Sequence, residues 1–178
     1  MEIWLRGNPR PGLAVLAAAA AATAVAGIAM AVVNPPGWVV GLGAAAAVAG
    51  LAIAGGIAWS ASRPRLTRRG DVLEVRLAPL GVHRVPLDLV ECVFPGSAPL
   101  GGVGEAAGDR RVGTLVLRLA ERATDWRMRP VPWGWGEWDD GCIVLDGRWC
   151  EPLTQATARD VAARLLEARR DVASGGTP

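Results

Sequence analysis

Residues 11–62 read PGLAVLAAAAAATAVAGIAMAVVNPPGWVVGLGAAAAVAGLAIAGGIAWSAS and decide the fold. No side chain in this stretch is charged. A spanning helix needs about 20 apolar residues, so the stretch is long enough for two. An Asn-Pro-Pro-Gly segment at residues 34–37 interrupts it, because two prolines and a glycine cannot continue a helix. The sequence therefore predicts two transmembrane helices, at about 12–33 and 38–60, joined by a tight turn.

Two other structures also contain alanine-rich apolar segments. A helix pair of a soluble bundle carries charge on its outer face, and residues 11–62 supply none. A cleaved signal peptide begins with basic residues, but its apolar core is only about 7–15 residues long. Here a second apolar segment follows the first at once. The pattern favours a membrane hairpin.

Arginines flank this hairpin and are missing from its turn. Two precede the first helix, Arg6 and Arg10, and four follow the second: Arg63, Arg65, Arg68 and Arg69. Because positively charged flanks stay in the cytoplasm, the N-terminus and the chain after residue 62 are expected there. The predicted location is the cell membrane, with two crossings. The four later arginines are also candidates for contact with anionic lipid headgroups, beside their simpler role as a stop-transfer flank.

The chain changes character at residue 63, where short apolar runs begin to alternate with Gly- and Pro-marked turns. Strands are predicted at 72–78, 81–86, 87–94, 114–120, 125–130 and 141–146. Residues 95–112 contain five glycines and are predicted to form a long loop. An amphipathic helix is predicted after Thr154, which suits the N-cap position.

A family resemblance rests on two short runs in this region. Gly-Asp-Val-Leu-Glu-Val at residues 70–75 and Val-Pro-Leu-Asp-Leu-Val-Glu-Cys-Val at 85–93 follow a hairpin and an arginine-rich exit, and a helix ends the chain. This order resembles bacterial membrane proteins that carry a pleckstrin-homology-like (PH-like) domain. The resemblance covers about residues 63–170 and implies a PH-like barrel, but it carries over no catalytic or binding residue.

The predicted fold class is an α+β membrane protein in three parts. These are a flank and transmembrane hairpin in residues 1–62, a small, mostly antiparallel β domain (PH-like barrel or sandwich) with a C-terminal helix in 63–173, and a disordered tail in 174–178.

Composition and motifs argue against several functions. A net charge of +2 is too small for a nucleic-acid-binding protein. Cys92, Cys142 and Cys150 lack the spacing of a zinc site and are expected to remain thiols. His83 has no partner motif, and the Gly-Val-Gly run at 102–104 follows no predicted strand. The chain is therefore not expected to be an enzyme, and no catalytic residue, cofactor or metal site is predicted.

Residues 132–141 concentrate three indoles and three carboxylates. As a recognition loop, Trp133, Trp135 and Trp138 would anchor a partner, and Asp139 and Asp140 would add specificity. As core, the indoles would supply aromatic bulk to a domain that has one Phe and no Tyr. That scarcity favours the core interpretation.

Two functions agree with these features. The first is a non-enzymatic, membrane-anchored PH-like module that acts as a scaffold or sensor at the cytoplasmic membrane face. The alternative is an accessory subunit of a larger membrane assembly, in which the hairpin makes the functional contact. The expected partners are membrane lipids and, for the alternative, a membrane protein, with no nucleic acid; the ligand and the oligomeric state stay open.

Overall fold

The computed structural model describes residues 1–33, 35–99, 111–131 and 134–174. Asn34 of the predicted turn, the Gly-Val-Gly run at 102–104, Trp133 and residues 175–178 of the predicted tail lie outside these ranges. The chain divides into two compact units: Asn8–Arg63, here called the hairpin, and Met1–Gly7 with Pro64–Pro178, here called the β unit.

The hairpin consists of helices α1 (Arg10–Val33) and α2 (Gly37–Ser62). Gly12 of α1 packs against Ala58 of α2, where an added Cβ would lie 2.7 Å from the Ala58 Cα. Met30, near the other end of α1, contacts Gly43 of α2, so the helices run antiparallel. Most of their large apolar side chains are exposed. Both helices are long and apolar enough to cross a membrane, as the sequence predicts.

The β unit contains two four-stranded antiparallel sheets. Sheet 1 follows chain order and is formed by β1 (Glu2–Leu5), β2 (Leu66–Arg69), β3 (Val72–Val75) and β4 (His83–Pro86). Sheet 2 has the order β5-β6-β8-β7 and is formed by β5 (Val90–Pro99), β6 (Arg111–Leu119), β7 (Gly136–Asp139) and β8 (Cys142–Asp146). Helix α3 (Gln155–Ser174) ends the described chain.

One hydrophobic core joins both sheets and α3. In β6 alternate residues enter it, as the period of two requires: Leu115, Leu117 and Leu119 are buried, whereas Arg118 is exposed. Helix α3 adds an apolar stripe of Ala158, Val161, Leu165 and Ala168. The predicted N-cap of α3 is confirmed, because the Thr154 hydroxyl accepts the Thr157 backbone N–H at 3.1 Å.

Two strand predictions are corrected by hydrogen bonding. Residues 125–130 are not a strand: Thr124–Trp126 form a 3₁₀ turn, and Met128 is 71% exposed, so the alternation there has no buried face. Residues 87–94 begin as a 3₁₀ turn at Leu87–Leu89 and become strand at Val90. The predicted loop at 95–112 is also too long, since β5 continues to Pro99 and β6 begins at Arg111.

The strand β1 was not predicted, and it changes the organisation of the chain. Leu5 pairs with Leu66 of β2, and the Arg65 N–H donates to the Leu5 carbonyl at 2.9 Å. Gly7 forms a further antiparallel bridge with Cys150. Residues 1–7, placed with the hairpin by the sequence analysis, therefore complete sheet 1. The hairpin is the connection between two neighbouring strands of that sheet.

Candidate functional site

The two described tryptophans of the Trp-rich segment lie in the interior of the β unit. Trp135 is 2% exposed and Trp138 is 5% exposed. The Trp135 backbone donates to the Leu77 carbonyl at 2.6 Å and accepts from the Asp146 N–H at 2.9 Å. These two indoles therefore serve as core and are not available to anchor a partner at the surface.

A buried arginine lies on one of these rings. Arg65 has no exposed area, and its guanidinium carbon is 3.4 Å from the centre of the Trp135 ring. Its Nε donates to the Trp149 carbonyl at 2.9 Å, and the Trp135 and Trp149 rings are 5.9 Å apart. Burial lowers the pKa of Arg65 to about 10, which leaves the side chain charged at neutral pH. We call Arg65, Trp135, Trp149 and Cys150 the Arg65 cluster.

Cys150 of this cluster is an unreactive thiol. It is 1% exposed, and burial raises its pKa to about 12, against a smaller opposite effect of Arg65. Its sulfur donates to the Asp146 carbonyl at 3.2 Å. Because the thiolate is the reactive form, this cysteine is a structural residue.

A second cluster connects strand β4 of sheet 1 with strand β7 of sheet 2. His83 meets Trp138 edge-on at 5.2 Å, and Trp126 stacks on Trp138 at 5.9 Å. The guanidinium carbon of Arg129 lies 4.7 Å from the centre of the Trp126 ring. The Trp138 Nε1 donates to the Trp126 carbonyl at 2.7 Å. We call these four residues the aromatic seam.

The environment of the seam disfavours a charge on the histidine. Partial burial, followed by the nearby positive charge of Arg129, lowers the pKa of His83 below 6.5. The imidazole is therefore neutral at physiological pH, and its packing is that of a structural residue.

The acidic residues predicted for recognition form a turn. Both are exposed: Asp139 is the last residue of β7, and Asp140 follows it in the turn to β8. Asp140 has φ 42° and Gly141 has φ 71°, the left-handed pair that a two-residue hairpin turn requires. In the described part of the chain, no group of three His, Cys, Asp or Glu side chains could hold a metal ion.

The four arginines after the second helix have different environments. Arg65 is in the core and cannot reach lipid headgroups, which corrects the expectation for that residue. Arg63 places its guanidinium 3.8 Å from the centre of the Trp59 ring at the end of α2.

The other two arginines lie at the end of β2 next to the Gly70 turn. Arg68 bonds to the Gly70 carbonyl and to Asp171 of α3, each at 3.0 Å. Arg69 forms an ion pair with Glu74 at 3.3 Å. Both therefore have partners within the β unit, at the end of β2 opposite to Leu66.

Cavities of about 240, 480 and 510 Å³ lie in the described β unit. Each is lined by charged residues that pair with one another: Arg118 with Glu121, Arg148 with Asp146, and Arg164 with Asp160. A fourth cavity of about 500 Å³ lies inside the hairpin and is lined mostly by small apolar residues.

No protein-family model, no curated protein and no solved structure matches this chain.

Proposed function

We propose that this protein is a non-enzymatic module anchored in the cell membrane by its hairpin, with a PH-like β unit that acts as a scaffold or sensor at the cytoplasmic face. The observation that carries the proposal is the pairing of β1 with β2 across the hairpin, from Leu5 to Leu66. Neighbouring strands of one sheet lie on the same side of a membrane. Two spanning helices between them satisfy this requirement, and one would not.

The ends of α2 support a membrane position. Trp38 and Trp59 lie near its two ends and are 70% and 63% exposed. Indole rings favour the interface between hydrocarbon and water. Arg63 above Trp59 adds a cation at the end that leads into the β unit, as expected for the cytoplasmic boundary.

A labelling experiment in intact cells tests this arrangement. Gly37→Cys, at the exposed start of α2, is made in a chain with Cys92→Ser and Cys142→Ser; Cys150 stays, because the buried thiol does not react. A membrane-impermeant maleimide should label this variant from outside the cell. In the matched reporter, with Gly37 unchanged and Cys142→Ser alone, the exposed Cys92 should react only after the membrane is opened.

Two results would each contradict a different part of the proposal. Labelling of Cys92 in intact cells would overturn the cytoplasmic location of the β unit. Recovery of the unmodified protein in the supernatant after carbonate extraction would overturn membrane insertion itself.

The alternative, an accessory subunit of a membrane assembly, is favoured by the glycines of the helices. Four glycines of α2 have no atom within 4 Å of an added Cβ: Gly41, Gly50, Gly55 and Gly56. Small residues on an open helix face allow another helix to approach closely. Co-purification of a stoichiometric membrane protein in mild detergent would favour this function over an independent scaffold.

A further inference from the structure

One end of sheet 1 is defined by a row of paired residues. Leu5, Leu66, Val75 and His83 lie side by side across the four strands. The chain leaves for α1 just after Leu5 and returns from α2 just before Leu66. The connection from β3 to β4, residues 76–82, lies at this same end, which we call the hairpin end of the sheet.

The hairpin end carries unusual apolar exposure. Leu80 is 89% exposed and Val82 is 37% exposed, both in the β3–β4 connection. Met128, 71% exposed, belongs to the segment that the aromatic seam holds beside His83. Leu80 is the most exposed large apolar side chain of the described β unit, and only Met1, at 78%, lies between it and Met128. Exposing the side chains of Leu80 and Met128 to water gives a soluble monomer no stabilisation.

The linkers between the helices and sheet 1 are short. Leu66 follows Ser62, the last residue of α2, by four residues, which span at most about 14 Å. Leu5 precedes Arg10, the first residue of α1, by five residues, or at most about 18 Å. If the helices cross a membrane, covalent reach keeps the hairpin end close to the headgroup layer.

We propose that Leu80, Val82 and Met128 form a bilayer contact that inserts into the interfacial layer next to the hairpin. This inference rests on the proposed membrane anchoring and adds a lipid-facing surface to the β unit. Arg84 and Arg129 flank the apolar tips and are exposed, with long side chains able to reach headgroups.

The charge around this surface is nearly balanced. Four arginines in these segments, Arg76, Arg84, Arg127 and Arg129, are matched in number by four acids, Glu74, Asp125, Asp139 and Asp140. Glu74 pairs with Arg84 at 3.4 Å. Attraction to an anionic surface is therefore weak, and burial of the apolar tips is the main driving force. The contact should depend little on salt and should not require a particular headgroup.

A fluorescence experiment on the full chain tests the bilayer contact. Leu80→Cys is made with Cys92→Ser and Cys142→Ser, labelled with an environment-sensitive dye and reconstituted into phosphatidylcholine vesicles. Nitroxide carried on lipid chains near the headgroups should quench the dye and its emission should shift to the blue. Leu166→Cys, 56% exposed on α3, is the matched control and should show neither change. Ile28→Cys, 67% exposed in α1, reports insertion of the hairpin with nitroxide placed deep in the bilayer.

Each outcome decides the question. Quenching at Leu80 and Ile28 but not at Leu166, unchanged between low and high salt, supports the contact. Quenching at Ile28 without quenching at Leu80 overturns the contact and leaves the anchoring in place. A blue shift at Leu80 without nitroxide quenching shows that the label is buried against protein instead of lipid, which also overturns the contact. No quenching at Ile28 removes the anchoring and the contact together.

Discussion

Arg65 brings a full positive charge into the core of the β unit, and the surrounding groups explain why the core tolerates it. Desolvation of a charge costs several kcal/mol. The Trp135 face at 3.4 Å returns about 2 kcal/mol or more through a cation–π contact in a dry site. The Nε bond to the Trp149 carbonyl adds a charge-assisted hydrogen bond. The ring is thus both core filling and the counterpart of a buried cation.

Trp135→Ala should therefore cost more than an ordinary core truncation. Removing a buried indole costs about 3–5 kcal/mol, and here the guanidinium also loses its ring. For a domain of this size, we expect the melting temperature of the full chain in detergent, followed by near-UV circular dichroism, to fall by more than about 10 °C. Leu166→Ala, on the exposed side of α3, should change it by only a degree or two. Equal melting of the two variants would contradict the role of the Arg65 cluster.

His83 makes the stability of the β unit depend on pH. Its native pKa lies below 6.5, so on acidification the unfolded chain binds a proton at a higher pH than the folded chain does. The contribution of this residue is complete above about pH 6.5 and is lost as the pH falls towards the native pKa. Between pH 7.5 and 5, the melting temperature of the wild type should fall more than that of His83→Gln. Parallel curves would show that the seam does not disfavour the charged imidazole.

At the scale of elements, the sequence was sufficient to predict a helix or strand wherever apolar residues recur on one face within a few residues. Helix α3 and the strands β6 and β8 were predicted because their apolar residues recur at the period of a helix or of a strand. The strand β1 was not predicted, because its four residues are too few to show a periodic pattern and the Leu66 partner of Leu5 is about sixty residues away. The short β7 was also missed. It is a strand because it pairs with β8, and its four residues are too few to show an alternation of apolar and polar residues.

The candidate clusters show the same division. Aromatic scarcity correctly indicated that Trp135 and Trp138 are core. Nothing in the run of arginines distinguishes Arg65 from its neighbours, because its burial depends on Trp135, some seventy residues later in the chain. The exposure of Leu80 and Met128 likewise could not be predicted without knowing the register of sheet 1 and the contacts of the aromatic seam.

The whole molecule combines a folded β unit with a hairpin that lies, in the sequence, between the paired strands β1 and β2. Trp4 and Leu5 of β1 are 3% and 0% exposed, and their burial contributes about 3–6 kcal/mol together. Net stabilities are only about 5–15 kcal/mol, so the few residues before α1 decide whether the β unit folds. The core cluster contains no residue of α1 or α2. Among the described residues, the hairpin is therefore an insertion in the chain of the β unit and contributes nothing to this core cluster.

This organisation predicts that the hairpin can be bypassed. A chain of residues 1–7, a Gly/Ser linker of about ten residues, which spans about 16–19 Å on average, and residues 64–174 keeps β1 next to β2. It should be soluble without detergent and melt cooperatively. Residues 64–174 alone should unfold or aggregate, since they lose Trp4 and Leu5 and expose the edge of β2. Trp4→Ala with Leu5→Ala in the linked chain should resemble this truncation, whereas Ile3→Ala, at a side chain 39% exposed, should not. A well-folded truncated chain would contradict the role of β1, and a linked chain that needs detergent to fold would show that the hairpin supports the β unit directly.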